Sequence, residues 1–314
     1  MLEVPETLKG HHLTAIRDWS PADLRTLLDL ADELKRMQRA GEEHRLLPGR
    51  SLGMIFEKPS TRTRVSFEVG IAQLGGTGLY LRADDLQLGR GETVRDTATV
   101  LSRYLDGLMI RTFAQEVVEE LARHSSIPVI NGLTDASHPC QALADLMTIR
   151  ERLGRLSGVR ITYLGDGNNV CASLMVAAAK FGMRFAAATP PSYKPDAETV
   201  KLAMRVAVQS GGTVELVSDP SAAALGSQVL YTDVWTSMGQ EEEREKRLAD
   251  LRGFGIDGEL VALASDDAIV LHCLPAHYGE EITEDVAYGP QSAVWDQAEN
   301  RLHAQKALMA LVMR

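Results

Sequence analysis

The chain has 314 residues, 45% of them hydrophobic and 24% charged, with a net charge of −10. That length suits two ordinary domains, and the composition is that of a soluble globular protein with enough apolar residues for sizeable cores. The acidic balance argues against nucleic acid or an anionic membrane as the principal partner, although a local cluster of cations can still receive a small anion.

In chain order, the opening MLEVPETLKGHHLT has no basic stretch followed by an apolar run, so no signal peptide is expected. A first helix follows Ser20 as cap and Pro21 at its first position, with Leu24, Leu27, Leu28, Ala31 and Leu34 on one face, and Gly41 stops it. The run 51–56 reads as a strand and Thr61 to Leu74 as a helix. Strands at 78–82, 107–111 and 127–131 come next, with helices between them, one of them over about 93–104. A helix over 139–153 closes the first half.

The pattern then restarts. Residues 159–165, 184–189, 213–217, 228–234 and 268–273 are strand-like, with helical segments between most of them, and a last helix is predicted from about Ala298 to Met313. Strand–helix alternation implies parallel sheets covered on both faces. The expected fold is therefore α/β: two doubly wound parallel-sheet domains, 1–150 and 151–297, with a C-terminal helix (298–314) packing back on the first. No stretch approaches the ~20 apolar residues of a membrane helix. Three cysteines, Cys140, Cys171 and Cys273, are too few for a disulfide framework, and a cytoplasmic location is expected.

In such folds ligands sit beyond the carboxyl ends of the strands, and the notable motifs fall there. "EKPSTRTRVSFE" (57–68) follows the first strand with Ser60, Thr61, Arg62, Thr63 and Arg64 at a helix start. Free first-turn amides, hydroxyls and a guanidinium make an anion receptor, although Ser and Thr are also ordinary caps. Residues two apart on a helix point to different sides, so Arg62 is assigned to the ligand and Arg64 to a pair with Glu68. Arg111 ends another strand, where a surface ion pair is the plainer alternative. "ASHPCQALADL" (136–146) opens a helix with His138 and Gln141 as polar groups suited to a carbonyl and an amide. Cys140 reads more simply as a small buried residue.

In the second half, "YLGDGNNVCAS" (163–173) is a partial dinucleotide loop: Val170 stands where a third glycine belongs, and no acidic residue closes the next strand. The carboxamide of Asn169 suits an amino acid's carboxylate better. "YTDVWTSMGQE" (231–241) places Asp233 at a strand end, fit for an ammonium group, with Ser237 and Met238 after it. "LHCLPAH" (271–277) puts Cys273 and Leu274 at the end of the last core strand, as a buried thiol, a zinc ligand or a catalytic group. His138, Cys140, His272 and Cys273 have no known zinc spacing, so no metal is expected.

STRTR, the strand-end arginine and HPCQ, in that order, resemble the carbamoyl-phosphate half of the aspartate/ornithine carbamoyltransferase family. The resemblance covers the chain from about residue 11 to its end. It implies that Ser60, Thr61, Arg62, Thr63 and Arg111 hold phosphate, that His138 and Gln141 hold the carbamoyl group, and that Arg301 in "ENRLHAQKALM" contacts the same substrate. The plainer alternative for Arg301 is a solvated residue in the first turn of the last helix. By the same resemblance Pro139, Cys140, Cys273 and Leu274 join the carbamoyl-phosphate set. Gln87 in "DDLQLGRGE" would reach a neighbouring subunit's site, implying a homotrimer or a multiple of trimers.

D-x-x-x-S-M and HCLP look like the ornithine-specific branch, in which Asn169, Asp233, Ser237 and Met238 would hold L-ornithine. The implied reaction is carbamoyl transfer from carbamoyl phosphate to the δ-amine of L-ornithine, with Asp233, Cys273, His138 and Arg111 as catalytic groups and no cofactor. Transfer to putrescine or N-acetylornithine, a nicotinamide-dependent dehydrogenase and a non-catalytic amino-acid binder are the competing readings.

Overall fold

The computed structural model describes residues 4–86, 91–236 and 241–314. The chain divides into two compact units, Met1–Met147 with Glu299–Arg314, and Thr148–Ala298.

In the first unit α1 (Pro21–Arg39) starts as the sequence predicts, with Ser20 Oγ accepting from the Asp23 amide and Asp23 answering onto the Ser20 amide. β1 (Ser51–Phe56), α2 (Thr61–Gln73), β2 (Thr77–Arg82), α3 (Val94–Leu101), β3 (Gly107–Arg111), α4 (Gln115–His124), β4 (Val129–Leu133) and α5 (Pro139–Leu153) follow. The four strands are all parallel, in the order β2-β1-β3-β4. Every β3 residue is buried, and so is every residue of β1 after Ser51, which is why these two strands read as unbroken apolar runs. Ile55, Leu108 and Ile110 pack with Val118 and Leu121 of α4. Each such side chain contributes about 1.5–3 kcal/mol by leaving water.

β4 is displaced two residues from its predicted place. Leu13 lies along it, with its amide donating to Val129 O at 2.9 Å and its carbonyl accepting from the Asn131 amide at 2.8 Å. This pairing across more than a hundred residues draws Asn131 and Gly132 into the sheet.

The second unit holds β5 (Arg160–Leu164), α6 (Asn169–Lys180), β6 (Arg184–Ala188), α7 (Ala197–Ser210), β7 (Thr213–Val217), α8 (Pro220–Ala224), β8 (Val229–Thr232), α9 (Arg244–Asp250), α10 (Gly258–Val261), β9 (Ile269–His272) and α11 (Glu284–Ala287). Its five strands are parallel in the order β7-β6-β5-β8-β9. Leu164, Leu230, Val270, Ile256 and Ile282 form its buried core.

α12 (Val294–Val312) starts four residues earlier than predicted. From His303 to Met313 every residue is buried, and this part groups with the first unit. There Lys35 Nζ donates to Asn300 Oδ1 at 2.7 Å, and Lys306 Nζ lies 3.1 Å from Gln38 Oε1 and 3.0 Å from His44 Nε2. Burial brings the Lys306 ammonium down to about 8. Both sheets are parallel and helix-covered, as the strand–helix alternation predicted. Among the described residues no helix is long and apolar enough to cross a membrane.

Candidate active site

In the first sheet, β1 hands the chain to β2 on one side while β3 hands it to β4 on the other. The carboxyl ends of β1 and β3 therefore flank the point where the winding reverses, which is where open parallel sheets place ligands. The loop after β1 ends in Ser60, the N-cap of α2. Ser60 Oγ accepts from the Thr63 amide at 3.3 Å and donates to Thr63 Oγ1 at 3.1 Å. Thr61 is exposed, Arg62 half-buried and Thr63 buried. Arg64 turns away: its Nε donates to Glu68 Oε2 at 3.2 Å and its guanidinium lies 3.9 Å from the Tyr80 ring centre. Arg64 thus pairs with Glu68 as the spacing predicts. Arg111, buried, closes β3.

Pro139 is the first residue of α5, and buried His138 immediately precedes it. Burial pushes the His138 imidazole well below its usual range, and the guanidiniums of Arg301, Arg111 and Arg62 push the same way. At neutral pH His138 is therefore a neutral hydrogen-bonding group, with three guanidiniums near enough to act on its charge. Arg301 is 3% exposed and sits in the third turn of α12, not in a solvated first turn. Its Nη1 donates to Gln141 Oε1 at 2.8 Å and its Nη2 to Thr63 Oγ1 at 3.3 Å. Gln141 Nε2 donates to Asp145 Oδ1 at 2.8 Å. Arg301, Thr63 and Gln141 are one hydrogen-bonded set drawn from three distant segments. The Cys140 thiol donates to Asn131 O at 3.4 Å, and burial raises it to about 11, so it stays protonated.

Sequence reasoning missed Lys58. It is buried, ion-paired with Asp135 from the β4–α5 connection, and its ammonium lies 4.1 Å from the Phe113 ring centre. Glu57, its neighbour, accepts from Thr112 Oγ1. These contacts fix the loops after β1, β3 and β4 against one another. The signal was present in "EKPSTR", but the partners are remote in sequence.

In the second sheet the winding reverses between β5 and β8. Asn168 and Asn169 follow β5, and Asp233 follows β8. Asn168, rather than Asn169, caps α6: its Oδ1 accepts from the amides of Val170 and Cys171 at 3.0 and 3.1 Å. Its Nδ2 donates to Asp233 Oδ2 at 2.7 Å, so the cap also aims the carboxylate. The Cys273 thiol donates to Asp233 Oδ1 at 2.8 Å, and the Val234 amide donates to the same oxygen at 2.8 Å. Asn169 is half-buried in the first turn of α6. Leu274 holds φ at 58°, a left-handed conformation that costs a bulky residue on the order of 1–3 kcal/mol and that clusters at functional turns. Gln87, Ser237 and Met238 lie outside the described residues.

The glycines of "LGDG" serve packing. Gly165 has φ +110° with Trp235 where a Cβ would stand, and a Cβ on Gly167 would meet Pro195 N at 2.3 Å. The chain itself fills the space that a dinucleotide's phosphates would need beside Gly167, which weakens the dehydrogenase reading. Asp233, His272 and Cys273 offer three ligand atoms within 4.8 Å of one another. However, His272 Nδ1 accepts from the Leu274 amide at 2.8 Å and its Nε2 lies 3.1 Å from Glu281 Oε1, so both ring nitrogens are already engaged.

A cation-lined helix start at one sheet reversal and an acid–thiol pair at another define a two-unit parallel α/β protein built to handle an anion and an amine. Comparison with known proteins agrees. Residues 11–151 match the family model described as aspartate/ornithine carbamoyltransferase, carbamoyl-P binding domain, and residues 157–312 match the Asp/Orn binding domain of the same family. The chain belongs to the aspartate/ornithine carbamoyltransferase family. It is 55% identical over 307 residues to an ornithine carbamoyltransferase of Pyrococcus horikoshii, covering 98% of this chain and 97% of that one. It is 54% identical to a Pyrococcus furiosus protein named ornithine carbamoyltransferase, anabolic, with 98% of both chains covered. The solved ornithine carbamoyltransferase from Pyrococcus furiosus superposes with a TM-score of 0.95 at 55% identity, covering 98% of each chain.

Proposed function

We propose that this protein transfers the carbamoyl group of carbamoyl phosphate to the δ-amine of L-ornithine, giving L-citrulline and phosphate. The observation that carries this is the convergence of Arg62, Arg111 and Arg301 on His138, beside the Ser60-capped start of α2. Three guanidiniums gathered near one imidazole beside a helix start suit an anion, and a phosphate dianion fits that description. In this reading Ser60, Thr61, Arg62, Thr63 and Arg111 hold the phosphate. His138 and Gln141 bind the carbamoyl oxygen and nitrogen, and Arg301 braces Thr63 and Gln141 while contacting the same substrate. His138, being neutral, acts as a hydrogen-bond donor to the carbonyl oxygen, while the arginines supply the charge that stabilises the tetrahedral oxyanion and the leaving phosphate.

The amine must lose a proton before it attacks, since a free alkyl ammonium titrates near ~10. Asp233, aimed by Asn168 and bonded to Cys273, is proposed to receive the ammonium and assist that loss. Asn169, Ser237 and Met238 would hold the amino-acid end. The departing phosphate is itself a competent proton acceptor, and the chemistry calls for no cofactor. The carbamoyl-phosphate half is assigned to 1–150 with 298–314, and the ornithine half to 151–297.

A cytoplasmic homotrimer acting in arginine synthesis is the finer reading. It is supported by the anabolic name of the Pyrococcus furiosus relative and by exposed Val65 and Val69, one turn apart on α2, with exposed Leu79 on edge strand β2. A colorimetric citrulline assay with ornithine, against aspartate, putrescine and N-acetylornithine as acceptors, tests the reaction. Turnover with ornithine by at least about tenfold over the other acceptors is expected, and a preference for any of them overturns the substrate assignment.

A further inference from the structure

The turn after β9 carries a cluster that carbamoyl transfer does not use. His277, Glu280 and Glu281 each offer one ligand atom, and the three atoms lie within 4.8 Å of one another. The backbone builds this. The Glu280 amide donates to His277 O at 3.0 Å, and Gly279 supplies φ +89°, so residues 277 and 280 fold onto the same side of a tight turn.

Each carboxylate has one oxygen committed. Glu281 is fully buried, and its Oε1 accepts from the His277 amide at 2.6 Å and faces His272 Nε2 at 3.1 Å. His272 Nδ1 accepts from the Leu274 amide, so the ring proton sits on Nε2 and donates to Glu281. Glu280 Oε1 is ion-paired with Arg244. The other oxygens, both Oε2, lie 3.8 Å from His277 Nδ1 and take no hydrogen bond among the described residues. A buried carboxylate oxygen left without a partner is costly and asks for a cation.

We propose that His277 Nδ1, Glu280 Oε2 and Glu281 Oε2 form a binding site for a divalent transition-metal cation of the zinc or cobalt class. One imidazole and two carboxylates are the donor set of a borderline cation with an open fourth position. Tetrahedral ligands about 2.0–2.1 Å from such an ion stand about 3.4 Å apart, and His277 Nδ1 lies 3.8 Å from each carboxylate oxygen. Two carboxylates face one arginine in the cluster. His272 would be the outer hydrogen-bond partner that holds Glu281 in place. The His277 side chain is 43% exposed, so an ion has access.

Titration of the reduced, full-length protein with Co²⁺, followed by its visible and near-ultraviolet spectrum, tests the site. One equivalent is expected to bind with no sulfur-to-cobalt charge-transfer band. Affinity should fall at least about a hundredfold in His277→Ala and in Glu280→Gln, and stay unchanged in Cys273→Ser. Circular dichroism melts of the variants confirm that each is folded, which the exposure of His277 favours. No binding, unchanged affinity in folded His277→Ala, or a sulfur band that disappears in Cys273→Ser would overturn the proposal. The last result would place the ion at Asp233 and Cys273 instead.

Discussion

Replacing Arg301 by Gln removes one of the three charges that depress His138 while leaving a hydrogen-bonding side chain at a buried position. In the parent, Arg301 bonds Gln141 Oε1 at 2.8 Å and Thr63 Oγ1 at 3.3 Å. Losing a charge-assisted contact to a bound phosphate costs roughly 2–5 kcal/mol, or about 30- to several-thousand-fold in affinity. The unliganded fold should suffer less. The lost hydrogen bonds cost about 1–3 kcal/mol, but repulsion from Arg62 and Arg111 is relieved, so the two effects oppose each other. Thermal melts with and without inorganic phosphate separate these effects. At a phosphate concentration one hundred times the parent dissociation constant, the parent gains about 2.7 kcal/mol and melts about 5–10 °C higher. With affinity reduced about 30-fold or more, the variant gains at most about 0.9 kcal/mol. His138, followed by NMR, should titrate at higher pH in the variant because a neighbouring cation is gone. An unchanged phosphate shift together with an unchanged His138 titration would refute the three-cation receptor.

Arg62→Ala should weaken carbamoyl-phosphate binding by a similar factor, while Arg64→Ala should cost only about 0–1 kcal/mol of stability in urea melts, since its pair with Glu68 is exposed; equal kinetic loss from both contradicts the division. Cys273→Ser should raise the Michaelis constant for ornithine and shift the pH–rate profile while carbamoyl-phosphate binding holds, and buried Cys171→Ser should do neither; a Cys273→Ser profile that overlays the parent's reduces this thiol to packing. Burial and then Lys306 bring the His303 imidazole down to about 4 in the folded protein, so the unfolded chain takes up a proton below about 6.5 that the native state refuses until about 4. Stability should therefore fall by about 2 kcal/mol between pH 7 and pH 5, measured by urea melts, and His303→Leu should flatten that slope; an equally steep fall in the variant removes this histidine as the cause.

Local chemistry was legible wherever a single segment determined it. The Ser20–Pro21 start of α1, the Ser60 cap of α2 and the opposite faces of Arg62 and Arg64 all follow from spacing within a few residues. The parallel sheets were legible from the apolar runs of β1, β3 and β5. Features that depend on distant partners were not. β4 sits where Leu13 pairs with it, and nothing near residue 130 announces Leu13. Lys58 reads as a surface lysine until Asp135 and Phe113 enclose it. The double role of Asn168 could not be read from its own segment, because its second bond is to a carboxylate 65 residues away. The plainer alternative for Arg301, a solvated first-turn residue, fails because α12 starts four residues before its predicted start, which places the arginine in an inner, buried turn.

The dependence of Thr63 and Gln141 on Arg301 has a bearing on how the protein is made. During synthesis, the strands and helices up to Met147 emerge first and have their own sheet, but the first unit is not complete until Glu299–Arg314 is delivered. At roughly 5–20 residues per second, the ribosome needs about 8–30 seconds to travel from Met147 to Glu299. For that interval the N-terminal unit exposes the apolar surface that α12 will cover and lacks Arg301, the bonding partner of Thr63 and Gln141. The second unit, contiguous from Thr148 to Ala298, folds with no such wait. The nascent chain should thus complete the contiguous unit first, and the earlier one gains Arg301 only once Glu299–Arg314 has emerged.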